Sequence, residues 1–266
     1  MKRGLFIWVS AIVLLSCEDG NPVGTGFALP FMELKVGKTW RYAWSLTLRD
    51  SIGNVRFSDA DTIVVSVDGV NETVGNFRNL VRLSSWESDF RSSHVWYAQT
   101  DSDFVELAYR WSGGREAFPK IISKTVDEGA RKKPFFLTEP VAVQWMRAQT
   151  VPQDSILLRE EPRVVYRYPL VPGMSWISFS QPFLQTREAI GFESITVNGK
   201  GFHSIRIKTT IPDLAPDLQW YDYVTLEGLI RRTLDMEILI TSEDDPEVGQ
   251  RGTISERLEL IGMQFN

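Results

Sequence analysis

The stretch FESITVNGKGFHSIRIK, Phe192–Lys208, decides how this chain is read. Ile195-Thr196-Val197 and Phe202–Lys208 are rich in β-branched residues and alternate apolar with polar, the pattern of half-buried strands. Asn198-Gly199 lies between them. That dipeptide tolerates φ > 0 at both central positions, so it fits a tight hairpin whose twist matches its strands. The stretch reads as two long antiparallel strands.

Working outward, the same pattern recurs. NETVGNFRNLVRL (Asn71–Leu83) resembles this hairpin, with Glu72 on Glu193 and Phe77 on Phe202. LKVGKTW (Leu34–Trp40) matches LVPGMSW (Leu170–Trp176) through Leu, Gly, Ser/Thr and Trp. VWYAQTDSDFVEL (Val95–Leu107) matches QWYDYVTLEGLIR (Gln219–Arg231) through Trp-Tyr. Landmarks in one order imply two copies of one unit. The alignment also settles a turn. Copy one offers Asp68-Gly69 and Gly75-Asn76, and only the second falls on Asn198-Gly199. Asp61–Val74 is therefore expected as one long strand, bulged or bent at Asp68-Gly69.

Each copy reads as a meander: a strand at Trp40–Leu48 or Trp176–Ser180, a long hairpin, then a second hairpin. Ser255–Ile261 alternates and closes the chain as a strand. The expected layout is a first β repeat over 30–119, a linker or insert over 120–165 and a second β repeat over 166–266. The insert is charged, carries Arg131-Lys132-Lys133, and has room for an extra strand or short helix. Glu139–Ala148 is the best helix candidate. The fold class is mainly β with little helix. Ten or so antiparallel strands with one apolar face must coil and close or pack on something. They form either a curved sheet (a half-barrel or sandwich-like arrangement) of two similar meander halves, or two similar β-domains side by side. The pattern YPL.PG.SW … GKGF … WY … GLI, across residues 166–261, resembles uncharacterised Gram-negative outer-envelope lipoproteins. These are similar to the periplasmic lipoprotein-carrier group. That resemblance implies a half-barrel that handles acyl chains.

The start of the chain says where it is held. Lys2 and Arg3 precede an apolar run, Leu5–Leu15, well short of the ~20 residues a spanning helix needs. Leu14-Leu15-Ser16-Cys17 then resembles the lipobox of bacterial lipoproteins. The resemblance implies a signal peptide over 1–16, cleavage before Cys17, and acylation of the only cysteine. Two or more acyl chains anchor stably where one does not. Residues 17–29, with Glu18-Asp19 followed by Gly, Asn, Pro and Thr, read as a flexible tether. The expected location is the bacterial cell envelope, at the outer membrane, with the lipid bilayer as a partner through acylated Cys17.

Composition limits the function. Removing residues 1–16 takes two basic residues, leaving 27 Lys and Arg against 34 Asp and Glu, a net charge of −7. That balance disfavours nucleic acid. One cysteine allows no disulfide, so the domain stands on its core, and a chain of this length can bury one large enough. Nine Trp, 15 Phe and 7 Tyr make the whole chain aromatic-rich.

Chemical motifs are sparse. No HExxH, GxSxG, Walker A or CxxC pattern occurs, and no cofactor motif. His94 and His203 occupy different places in the repeat and read as strand residues. Glu243-Asp244-Asp245 with Glu247, and Asp101-Ser102-Asp103, read as turns before calcium ligands. Trp96-Tyr97 and Trp220-Tyr221 put one ring on each strand face, so one ring of each pair is a candidate lining for a concave ligand surface. With Phe77 on Phe202, Arg82 falls on Ile207 and Arg206 on Val81, which places the two arginines on opposite faces and argues against a twinned polar site. The leading expectation is a non-enzymatic lipoprotein binding a hydrophobic ligand or partner protein on a curved sheet. A structural subunit of an envelope assembly, with aromatics filling the core, is the alternative. A surface glycan-binding protein, using rings such as Trp111 or Trp145, is the third.

Overall fold

The computed structural model describes residues 29, 30, 32–87, 92–112, 115, 116, 132, 133, 139–146, 155–240 and 250–264. Cys17, the tether before Leu29, Glu243–Glu247, most of 120–156 and the side chains of Trp111 and Trp145 lie outside the described residues.

The first half contributes β1 (Thr39–Asp50), β2 (Val55–Val74), β3 (Phe77–Trp86), β4 (Ser92–Gln99) and β5 (Asp103–Ser112). An excursion follows, with the two-residue strands β6 (Arg115–Glu116) and β7 (Lys132–Lys133) paired together and a short helix α1 (Val141–Met146). Then come β8 (Leu157–Arg167), β9 (Ser175–Phe179), β10 (Gln185–Val197), β11 (Lys200–Thr210), β12 (Gln219–Thr225), β13 (Gly228–Ile240) and β14 (Gln250–Gln264). Twelve strands make one antiparallel sheet, in the order β8-β5-β4-β3-β2-β1-β14-β13-β12-β11-β10-β9. The chain thus goes once around an up-and-down ring. The last strand pairs with the first along their length, Thr39 with Gln264 through to Asp50 with Gly252. The curved single sheet is the arrangement found, and side-by-side domains are not.

The sheet is nearly closed. Its two ends, β8 and β9, are consecutive in the chain and meet through side chains. Trp176 Nε1 donates to the Val164 carbonyl at 3.2 Å and Arg187 Nη1 to the Val165 carbonyl at 3.0 Å. The backbone N–H groups of Ser180 and Gln181 donate to the Glu161 carboxylate at 2.9 Å. Burial pushes that carboxyl up, but these donors outweigh it and hold its pKa below the usual value.

The turns that open the two halves match bond by bond. Gly37 N–H donates to Val67 O at 3.0 Å, and Gly173 N–H to Ala189 O at 2.7 Å. Val67 N–H returns to Lys38 O at 2.9 Å, and Ala189 N–H to Met174 O at 2.8 Å. Both glycines hold φ near the same positive value, 88° and 84°, which explains glycine at each turn. The β10–β11 turn has Asn198 and Gly199 at φ 48° and 73°. The β2–β3 turn falls at Gly75-Asn76, and β2 runs through Asp68-Gly69 with its register shifting between Val67 and Gly69.

One expectation fails. Arg82 and Arg206 do not lie on opposite faces. Arg82 pairs outside with Glu72 at 3.2 Å, while its neighbour Leu83 belongs to the core. Arg206 pairs outside with Glu193 at 3.1 Å, while Ile205 and Ile207 are buried. Asn79 takes φ 58° inside β3, and such a bulge adds one residue and reverses the alternation beyond it. A gapless count from Phe77 to Arg82 misses that residue.

Candidate functional site

Along β1, Trp40, Tyr42, Trp44, Leu46 and Leu48 alternate inward and are almost fully buried. They divide the ring into two ends. At the end where Leu29 exchanges backbone hydrogen bonds with Leu170 at 2.9 and 3.0 Å, the filling is aromatic. Tyr97 stacks on Phe104 at 4.5 Å, Phe104 on Tyr166 at 6.2 Å, and Tyr166 meets Tyr168 edge-on at 6.1 Å. Trp40 Nε1 donates to Glu227 O at 2.7 Å and Tyr42 Oη to Leu229 O at 2.9 Å. Burial pushes the Tyr42 and Tyr168 hydroxyls far up and the Tyr166 hydroxyl to about 12. The cavity left among these rings is about 20 Å³, room for one water.

The other end is ionic. Asp222 receives Arg232 Nε at 2.6 Å and Nη2 at 3.0 Å, and Arg187 stands 3.8 Å away. Arg159 Nε donates to Glu106 at 2.6 Å, and Arg163 stands 3.8 Å from Glu106 and 3.3 Å from Glu139. Burial lowers the Arg187 pKa, while for Arg159 and Arg232 burial is outweighed by Glu106 and Asp222 and the pKa rises. Glu256 spreads its carboxylate over three donors: Trp44 Nε1 at 2.9 Å and the N–H groups of Val141 and Ala142 at 2.8 Å each. It thereby fastens the start of α1, whose Val141, Ala142 and Val143 are buried. Pro140 precedes the helix, where its missing N–H costs nothing. The layer holds four arginines (159, 163, 187, 232) and four carboxylates (106, 139, 222, 256), so its formal charges cancel.

The four rings singled out in the sequence do not converge. Trp220 is fully buried in the main core, and Tyr221 is half-buried outside, under the Arg206 guanidinium at 5.2 Å. In the first half the order is reversed. Tyr97 belongs to the main core, while Trp96 packs outside with Val74, Leu80, Leu107 and Ala108 and donates to Glu72 at 2.6 Å. A register shift between Trp96 and Tyr97 accompanies the reversal. Tyr97 and Trp220 are thus the inward rings of the two pairs, and both belong to the main core. His94 Nδ1 lies 2.7 Å from Ser84 Oγ on the outer face, its pKa lowered by burial and by Arg110 and Arg82. His203 stacks on Phe192 at 5.2 Å. Among the described residues no cluster of His, Cys, Asp or Glu is arranged for a metal ion.

Sequence reasoning missed three features. A cleft of about 270 Å³ opens at the seam, lined by Tyr109, Leu157, Arg159, Glu161, Arg163 and Phe179 among others. Its arginines lie over rings, Arg159 at 4.4 Å from Tyr109 and Arg163 at 4.7 Å from Phe179. Beside it, Ser178 Oγ, Gln185 Oε1 and Nε2, Thr209 Oγ1 and Trp220 Nε1 are buried with no hydrogen-bond partner among the described residues. The ion pairs join residues far apart in the chain, so no local spacing announced them.

No protein-family model matches the chain, and no similar curated protein was found. The likeness to carrier-type envelope lipoproteins therefore rests on its quoted residues alone.

Proposed function

We propose that this chain is an exported lipoprotein of the bacterial envelope, held at the outer membrane through acylated Cys17. Its barrel works as a non-catalytic interaction module for a partner protein. One observation carries the interaction role. The interior is occupied by packed rings at one end and an ionic layer at the other, and the aromatic cavity of about 20 Å³ holds no acyl chain. This favours the assembly-subunit reading over a carrier of hydrophobic ligands. Leu29, locked onto Leu170, gives the tether a fixed end. The twelve residues from Cys17 reach at most ~40 Å, so the module works close to its bilayer.

The test has two arms. Mass spectrometry of the mature protein should find Cys17 acylated, and Cys17→Ser should move the protein out of the membrane fraction. Crosslinking in cells should then capture one recurrent protein neighbour. Purified protein carrying a stoichiometric acyl lipid inside the barrel, with no such neighbour, would return the carrier reading.

A further inference from the structure

The seam is closed unevenly. β8 runs for 11 residues and β9 for five. At one end Trp176 and Arg187 cap the Val164 and Val165 carbonyls. Further along, β9 stops at Phe179, its ladder to β10 already bulged at Ser178, and the chain goes into bends at Gln181 and Pro182. The seam cleft opens there. Five consecutive β8 residues, Leu157–Glu161, line it from one strand, and Phe179, Gln181 and Pro182 line it from β9 and its continuation. A cleft lined by consecutive residues of one strand is a groove along that strand, about 16 Å long at ~3.3 Å per residue. Among the described residues no strand pairs with this edge, because β8 and β9 end the sheet. β8 is short of partners on its other side as well. It passes from Leu158 to Arg163 while β5 passes only from Ala108 to Glu106, so Arg159–Pro162 outnumber the residues opposite them. Backbone N–H and C=O groups left over in this way call for partners.

We propose that this groove docks an extended, uncharged segment of the partner protein, laid along Leu157–Glu161 as an added strand. The inference rests on the interaction-module reading above and names its site. Three observations choose the occupant. The first is the open backbone of β8: another extended chain offers N–H and C=O groups in matching alternation, and a compact small molecule does not. The second is charge. Arg159 is already bound to Glu106, Arg163 is paired with Glu139, and Glu161 holds the Ser180 and Gln181 N–H groups. A charged side chain entering among these matched groups would be stranded. The third is apolar surface on both sides of the seam. Leu158, 49% exposed, lines the groove, with Ile156 at 48% just before it and Ile177 at 56% on the outer face of β9. Inside, Tyr109 and Phe179 lie under the Arg159 and Arg163 guanidinium groups and give a flat apolar floor. Side chains of an added strand alternate, so one set meets the rings and the next meets the aliphatic rim.

In the full chain, the photocrosslinker p-benzoylphenylalanine replaces Leu158, or, as controls exposed away from the seam, Val36 or Ile52. Irradiated cells should yield one recurrent protein from Leu158, joined through an uncharged segment, and none from the controls. The synthetic peptide of that segment, at about ten times its Kd, should slow hydrogen exchange of the Leu157–Glu161 amides about tenfold. The same peptide N-methylated at alternate residues should not. Leu158→Lys and Ile177→Lys alter exposed side chains, so both should melt as the wild type does. Each should bind the peptide about tenfold less tightly through lost apolar contact. A neighbour found by whole-cell crosslinking but never from Leu158 would overturn the groove and leave the interaction role standing; no neighbour by either route would overturn both. A second copy of this chain captured at Leu158, a charged segment, or a peptide that binds equally well when N-methylated would overturn the added strand.

Discussion

Replacing Asp222 by Asn tests the ionic layer directly. The substitution keeps the shape and removes one charge. Asp222 is fully buried and accepts two hydrogen bonds from Arg232, with Arg187 at 3.8 Å. The asparagine turns an amide NH₂ towards donors and leaves two buried guanidinium groups sharing no carboxylate between them. Removing one partner of a buried pair costs about 3–5 kcal/mol, chiefly for the stranded charge. In a domain of this size each kcal/mol moves the melting temperature by ~2–4 °C, so a fall of roughly 6–20 °C is expected by calorimetry. The double variant Asp222→Leu with Arg232→Met should recover much of the loss, because both charges leave together. It should not recover all of it, since Arg187 loses the carboxylate that stood 3.8 Å away. If Asp222→Asn costs under about 1 kcal/mol, or the double variant is no better than the single, water reaches this layer and the reasoning fails.

Gly173→Ala should cost about 1–2 kcal/mol from its φ of 84° alone, since a Cβ there meets nothing within 4 Å, and Gly37→Ala at φ 88° should cost the same in urea denaturation. Gly228→Ala should cost more than either. Its Cβ would stand 2.9 Å from Met32 Sδ and 3.2 Å from Trp40 Nε1, displacing the Trp40–Glu227 bond; equal losses at Gly173 and Gly228 would refute that packing. Burial raises the Glu256 pKa above the ordinary 4.5, against the pull of its three N–H donors. The folded protein therefore holds this proton more tightly than the unfolded chain. The contribution is complete below pH 4.5 and is lost as pH rises through the folded value. Urea midpoints of the wild type should fall with rising pH relative to Glu256→Gln, and parallel curves would show that Glu256 does not titrate upward.

Much of the architecture was legible because it is written in local chemistry. Asn198-Gly199 makes its turn through φ that few other residues accept. Gly37 and Gly173 mark the same hydrogen-bonded turn before β1 and β9. What was not legible depends on single-residue irregularities. Asn79 in β3, the shift at Trp96-Tyr97 and the bulge at Ser178 each change which face the following residues occupy. Alternation has a period of two, so one unseen residue reverses every later assignment. That is why the two Trp-Tyr pairs, identical in sequence, turn opposite rings inward. The ionic layer was hidden for a different reason. Glu106, Arg187, Asp222 and Glu256 come from four strands and meet only when the ring closes.

The two halves repeat their turns and their outer Glu–Arg pairs, yet they place different chemistry inside. On the inner face of β4, Val95 and Tyr97 are apolar packing; on that of β12, Trp220 is followed by the charged Asp222. Likewise Ile63, Val65 and Val67 fill the inner face of β2, where β10 turns Gln185 and Arg187 inward. Packing alone asks for the first pattern twice. Buried ion pairs are weak stabilisers beside apolar residues of equal volume, and orphaned amides are costly. The polar inner residues of β10 and β12 are therefore not what stability selects. Arg187 among them reaches the Val165 carbonyl across the seam between β8 and β9, which the ladder of the described strands leaves open. A scaffold that repeats its turns and departs from the repeat at the open junction concentrates its specific chemistry there, and that junction is where binding should be sought.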